Sequence, residues 1–137
     1  MTRIARWLLV ALSIGGWMVP SLAATEARTD YLINCGGCHG VDGRGAPPQV
    51  PSLRGEPGRI VAVAGGRDYL YRVPGPSQAP LSDAALAEVM NFVLREFSRD
   101  TLDASFVPYT TEEISRRRGD PLLDPLARRE EIWGSYD

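Results

Sequence analysis

The clearest periodicity in the chain runs from Asp83 to Phe97, where Leu86, Val89, Met90, Val93, Leu94 and Phe97 recur three and four residues apart. Apolar positions at that spacing make one stripe along a helix. Ser82 precedes the stripe as an N-cap, Asp83 favours the positive end of the helix dipole, and Leu81 can staple onto Leu86. Further on, Thr110 pairs with Glu113 in a capping-box pattern flanked by Tyr109 and Ile114, which predicts a helix over 111–118. Residues 120–129 suit another short helix. Upstream, Glu26 to Asn34 carries Tyr31 and Leu32 on a helical pattern that runs straight into Cys35. Gly66 to Val73 suits a short helix with Tyr69 and Leu70, ended where Pro74-Gly75-Pro76 reopens the chain. Between these, residues 40–58 are rich in Gly and Pro and follow no period, so they read as a loop wrapped around something other than its own backbone. The predicted class is all-α.

The first 23 residues have a different character. Arg3 and Arg6 precede a charge-free run from Trp7 to Pro20, and Ser21-Leu22-Ala23 places small residues where a signal peptidase reads. The run is shorter than the roughly 20 apolar residues that cross a bilayer. It therefore predicts an export signal removed before Ala24, with no membrane association afterwards. The remainder of the chain has room for one domain. The formal net charge of the 137 residues is −2, and it becomes more negative without Arg3 and Arg6. That balance excludes a nucleic-acid binder. Every basic residue is Arg, so docking through a ring of lysines is excluded as well.

The chemistry is concentrated in five residues. Cys35-Gly36-Gly37-Cys38-His39 holds both cysteines and the single histidine of the chain. A C-x-x-C-H run reads as a covalent attachment site for one c-type haem: each thiol adds across a vinyl group, and the next residue offers an imidazole as axial ligand. Gly36 and Gly37 leave the backbone free to lie against the porphyrin. A structural zinc site would need a second pair of ligands, which the sequence lacks. A redox C-x-x-C would want a βαβ context, and a plain disulfide would leave His39 unexplained. Thioether attachment takes place outside the cytoplasm, so the motif and the export signal both point to the periplasm.

In the order of these elements the chain resembles the class I monohaem cytochromes c. The likeness covers about residues 25–97: first helix, C-x-x-C-H-G, Gly/Pro loop, short helix, Pro-Gly turn, and a last helix opened by Leu81-Ser82-Asp83. The resemblance implies a small helical fold wrapped around the haem over 24–99, with 100–137 as a C-terminal helical extension. It also implies that Pro51, twelve residues beyond His39, turns its carbonyl to the other imidazole nitrogen and so tunes the ligand, while Leu53 packs on the proximal face. The chain departs from the family on the other face. The loop from Val73 to Pro80 contains no Met to serve as second axial ligand. Gln78 falls at or near that position, as a weak, hard donor or a mere pocket residue. Met90 is the other candidate, although its place on the stripe reads as core packing against the first helix. Tyr69 and Tyr71 are candidates for the distal wall.

The resemblance implies an electron-transfer protein, not an enzyme. It would carry single electrons from a periplasmic dehydrogenase toward an oxidase or another cytochrome. The missing Met supports an alternative, a haem with an open or labile sixth site that binds small ligands or does peroxide chemistry. The extension, with Arg116-Arg117-Arg118, Arg128, Arg129 and Trp133, admits a solvated helix face, a partner-docking segment or a cover for the haem edge.

Overall fold

The computed structural model describes residues 22–134. The predicted export segment over 1–23 therefore lies almost wholly outside the described residues. Among those described, no helix is long and apolar enough to cross a membrane. The architecture is all-α. Among the described residues eight helices run in order: α1 Leu22–Asn34, α2 Gly36–His39, α3 Glu56–Ile60, α4 Gly66–Arg72, α5 Pro74–Gln78, α6 Asp83–Phe97, α7 Thr111–Arg117 and α8 Pro125–Ile132. A 3₁₀ turn over Arg99–Thr101 follows α6, and a lone antiparallel bridge joins Ala46 to Val50.

α6 organises the molecule because its apolar stripe faces two ways. Val89 and Val93 pack with Tyr31 of α1, supported by Phe92 and Phe97. Leu86, Met90 and Leu94 pack instead with Val61, Tyr71, Tyr109 and Ile114. The helix is thus held between α1 on one side and α7 on the other. Its start follows the sequence pattern: the Ser82 hydroxyl accepts from the Ala85 N–H at 3.1 Å. On the α1 side, the Tyr31 ring lies 5.7 Å from Phe92 and 5.1 Å from Phe97, tilted against both.

The residues beyond 100 share this core. Ile114 is fully buried, and Tyr109 nearly so. Asn91, buried in the middle of α6, donates to the Tyr109 carbonyl at 3.0 Å and accepts from its N–H at 2.7 Å. Both backbone groups of an extended segment are thereby satisfied by one amide side chain. Thr110 caps α7 through the Glu113 N–H at 3.2 Å. The Glu113 carboxylate does not complete the box; it takes Arg67 in a two-point pair at 2.8 and 2.7 Å.

Three elements differ from the sequence expectation. α3 overlaps the end of the predicted Gly/Pro loop and runs past it to Ile60, with Pro57 in its first turn, a position where the missing N–H has no cost. Pro74-Gly75-Pro76 does not reopen the chain but begins the one-turn helix α5, for the same reason. The last helix lies over Pro125–Ile132, later than 120–129, because Asp124 caps it through the Ala127 N–H at 2.9 Å.

Candidate haem-attachment site

Tyr31 and Cys35 are one helical turn apart, so α1 carries Cys35 on the face that already packs against α6. Leu32, Cys35, Leu53 and Leu81 all lie against the Tyr31, Val89 and Val93 cluster and all stay partly exposed. The chain therefore leaves a half-covered apolar floor beside the first cysteine. α2 then turns once, with His39 N–H bonded to the Cys35 carbonyl at 3.0 Å, and leaves Cys38 exposed. Gly40, at φ 75°, ends the turn in the left-handed region open to glycine. The Tyr31 hydroxyl donates to the Gly40 carbonyl at 2.6 Å and pins the end of α2 to α1.

His39 Nδ1 stands 2.9 Å from the Pro51 carbonyl oxygen. A carbonyl only accepts, so Nδ1 carries the proton and Nε2 keeps its lone pair. Burial pushes the imidazole below its ordinary value, with the Pro51 bond acting in the opposite sense. The ring is therefore neutral at neutral pH and its free nitrogen can bind a metal. Burial, and then the neighbouring Cys38, push the Cys35 thiol up. Redox-active C-x-x-C pairs move the other way, toward the thiolate.

The Pro51 carbonyl is held by a framework that sequence reasoning missed. Gly45 N–H donates to the His39 carbonyl at 2.8 Å, and Leu53 N–H donates to Gly43 at 2.8 Å. Ser98, buried at the end of α6, donates to the Leu53 carbonyl at 2.9 Å, and Thr101 donates to Gly55 at 2.5 Å. Arg54 clasps Asp42 through its backbone carbonyl at 2.8 Å and its carboxylate at 3.0 Å. Gly45 did not stand out, being one of several glycines in a Gly/Pro-rich loop. The polar anchors at Ser98 and Thr101 act across more than forty residues and leave no local signature.

The other predicted site residues are spread out. Gln78 is exposed at the end of α5. Met90 is buried with Tyr71, Tyr109 and Ile114, on the side of α6 away from the Tyr31 cluster, and not against the first helix as expected. Tyr71 is in the same core, its ring edge-on to Tyr109 at 5.9 Å and its hydroxyl donating to Asp68 at 3.2 Å. Tyr69 is buried too. Of the Arg116–Arg118 run, Arg117 pairs with Asp68 and Asp120 at 3.2 and 3.3 Å, and Arg118 turns inward toward residues 77–83.

No family model matches the chain. A cytochrome c-552 of Thermus thermophilus is 30% identical over 147 aligned residues, covering 93% of this chain and 97% of its own. A further cytochrome c-552 from the same species is 30% identical over 118 residues, covering 72% of this chain and 90% of its own. Identity at that level, along nearly the full length of both chains in the first of these, makes the protein a member of the c-type cytochromes.

Proposed function

We propose that the protein is a periplasmic electron carrier with one haem attached through Cys35 and Cys38. His39 serves as proximal ligand and Pro51 as its orienter. The observation that carries this reading is the Nδ1–H···O=C bond from His39 to Pro51, which leaves Nε2 free one residue after Cys38. The donor set fits the group: two free thiols, a neutral imidazole in the metal-binding tautomer, and a half-exposed apolar floor of Leu32, Leu53 and Leu81. The glycine pair fits as well, since a Cβ at Gly37 would meet nothing within 4 Å and one at Gly36 only ordinary contacts. The chain's own packing thus gives no reason for glycine there, whereas a flat group lying against α2 does.

Bound haem supplies a one-electron iron couple whose potential depends on its axial ligands and surroundings. The chain's part is orientation. Pro51 holds the His39 ring and raises its basicity, Leu53 and Leu32 exclude water from one side, and the thiols fix the ring edge. Electrons would come from a periplasmic dehydrogenase and pass to an oxidase or another cytochrome. The test is maturation of the full chain in a host that makes c-type cytochromes. Haem should stay on the polypeptide after denaturation, and Cys35→Ala with Cys38→Ala should abolish that retention. Haem lost on denaturing the wild type would refute the reading.

A second reading rests on the strap before α6, which carries Gln78 and no thioether, while Met90 lies in the core. An open or labile sixth site would follow. The dithionite-reduced spectrum before and after carbon monoxide separates the two. Sharp bands unmoved by the gas favour the carrier with a firm sixth ligand, and a shift favours the ligand-binding haem.

A further inference from the structure

The strap from Ser77 to Ser82 is thinly supported by its own backbone. Pro80 has no N–H, and the bonds made by the strap's central amides are Ala79 N–H to Pro76 at 3.4 Å and Leu81 N–H to Ala79 at 2.8 Å. One side chain from the far end of the sequence makes up the difference. The Arg118 guanidinium donates to the carbonyls of Ser77 at 3.4 Å, Leu81 at 2.6 Å and Ala79, and pairs with the Asp83 carboxylate at 3.0 Å. Four acceptors on one planar fork is a use of Arg that Lys cannot reproduce. The side chain is only 12% exposed, so it is an internal clamp and not a surface charge.

Both ends of the clamp are anchored. Arg118 N–H bonds to the carbonyl of Ile114 at 3.0 Å, and Ile114 is fully buried against Leu86 and Met90 of α6. At the other end, Leu81 packs against both core clusters, including the one that Cys35 and Leu53 flank. The strap is thus fixed relative to the cysteine side of the molecule through a residue of the C-terminal segment.

We propose that Arg118 is a positioning residue for the second axial side. By holding the 77–81 strap closed, it sets how readily the iron of a haem carried at Cys35–His39 takes an outside ligand. This rests on the haem reading above. The clamp divides the strap between a closed and an open form, and outside-ligand affinity scales with the open fraction.

The test uses ferric holoprotein and three measurements: imidazole affinity, midpoint potential, and hydrogen exchange at the Ser77, Ala79 and Leu81 amides relative to α6. Arg118→Gln should speed exchange in the strap but not in α6, and tighten imidazole binding about tenfold. Arg118→Lys, which keeps the charge opposite Asp83 but loses the fork, should fall between. Faster strap exchange with imidazole affinity and potential unchanged would overturn the role toward haem, and unchanged strap exchange would overturn the clamp itself. If Arg118→Gln does not fold, Arg118→Lys is judged by the same three measurements. Loss of haem from denatured wild type would instead sink the underlying haem reading, and the exchange comparison would still decide the clamp.

Discussion

Gly45 has φ +64°, and a Cβ there would stand 2.6 Å from the carbonyl oxygens of both Val50 and Pro51. Any side chain must therefore crowd the carbonyl that His39 bonds, in addition to the strain of a left-handed residue. We expect Gly45→Ala to cost about 1–3 kcal/mol and to shift the midpoint potential, both read on holoprotein by denaturant titration and voltammetry. Tyr31 makes a second prediction. Its hydroxyl is pushed up to about 12, first by burial and then by Cys35 and Asp42. An unfolded Tyr ionises near 10, so the phenol's contribution to stability is intact below about pH 10 and is lost as pH climbs toward the folded value. Tyr31→Phe should cost about 1 kcal/mol at neutral pH, the usual worth of one hydrogen bond, and flatten part of the alkaline decline. Denaturant midpoints between about pH 8 and 11 check this. Tyr71 and Tyr109 shift upward as well, which keeps the flattening partial. At this scale the C-x-x-C-H run was legible because it is contiguous. Ser98 and Thr101 were not, because a hydroxyl that bonds a carbonyl some forty-five residues away looks like any other polar residue.

The stripe on α6 and the caps at Ser82 and Thr110 could be read from spacing alone, since each depends on residues within one or two turns. How the stripe divides between α1 and α7 could not. Two adjacent faces of one helix look the same in a periodic pattern, and Met90 therefore faces Tyr71 and Tyr109 instead of α1. The one-turn helices α3 and α5 were missed because Pro in a first turn and Pro in a loop have the same local signature. Asn91 is where α6 and the segment before α7 depend most on each other. Asn91→Ala leaves the Tyr109 N–H and carbonyl buried without partners, and should cost about 2–4 kcal/mol. A chain ended at Arg99 exposes Leu86, Met90, Leu94 and Tyr71 together. Losing the burial of Tyr109 and Ile114, at roughly 2–5 kcal/mol each, is comparable with the whole stability of a small domain. We expect no folded protein from it by near-UV circular dichroism or NMR, whereas a merely appended segment would leave a cooperative transition.

Across the whole molecule, arginines tie the middle of the chain to its last third. Arg67 pairs with Glu113, Arg72 with Asp68 and Asp120, Arg118 with Asp83, and Arg129 with Glu56. Arg72 and Arg129 are buried, and each has a carboxylate facing it. Arg67 also stacks over the Tyr109 ring at 4.3 Å. A double-mutant cycle on Arg67 and Glu113 should return a coupling of about 1 kcal/mol, the upper range for a partly exposed pair. The abundance of Arg was plain in the sequence, but its use was not, because clusters such as Arg116–Arg118 read as solvated faces until their partners are seen. The pairings that reach the last third also differ in range from the two bonds that hold α2. The bonds at α2 join residues 9 and 12 apart, whereas the arginine clamps span 35 to 73 residues. Short loops close at lower entropic cost than long ones, so the turn that carries Cys38 and His39 needs little chain to close, whereas the clamps on the strap and on Glu56 hold only once the last third of the chain is in place. The molecule is built like a purse whose drawstring runs through the last third of the chain: without that third it does not hold its shape.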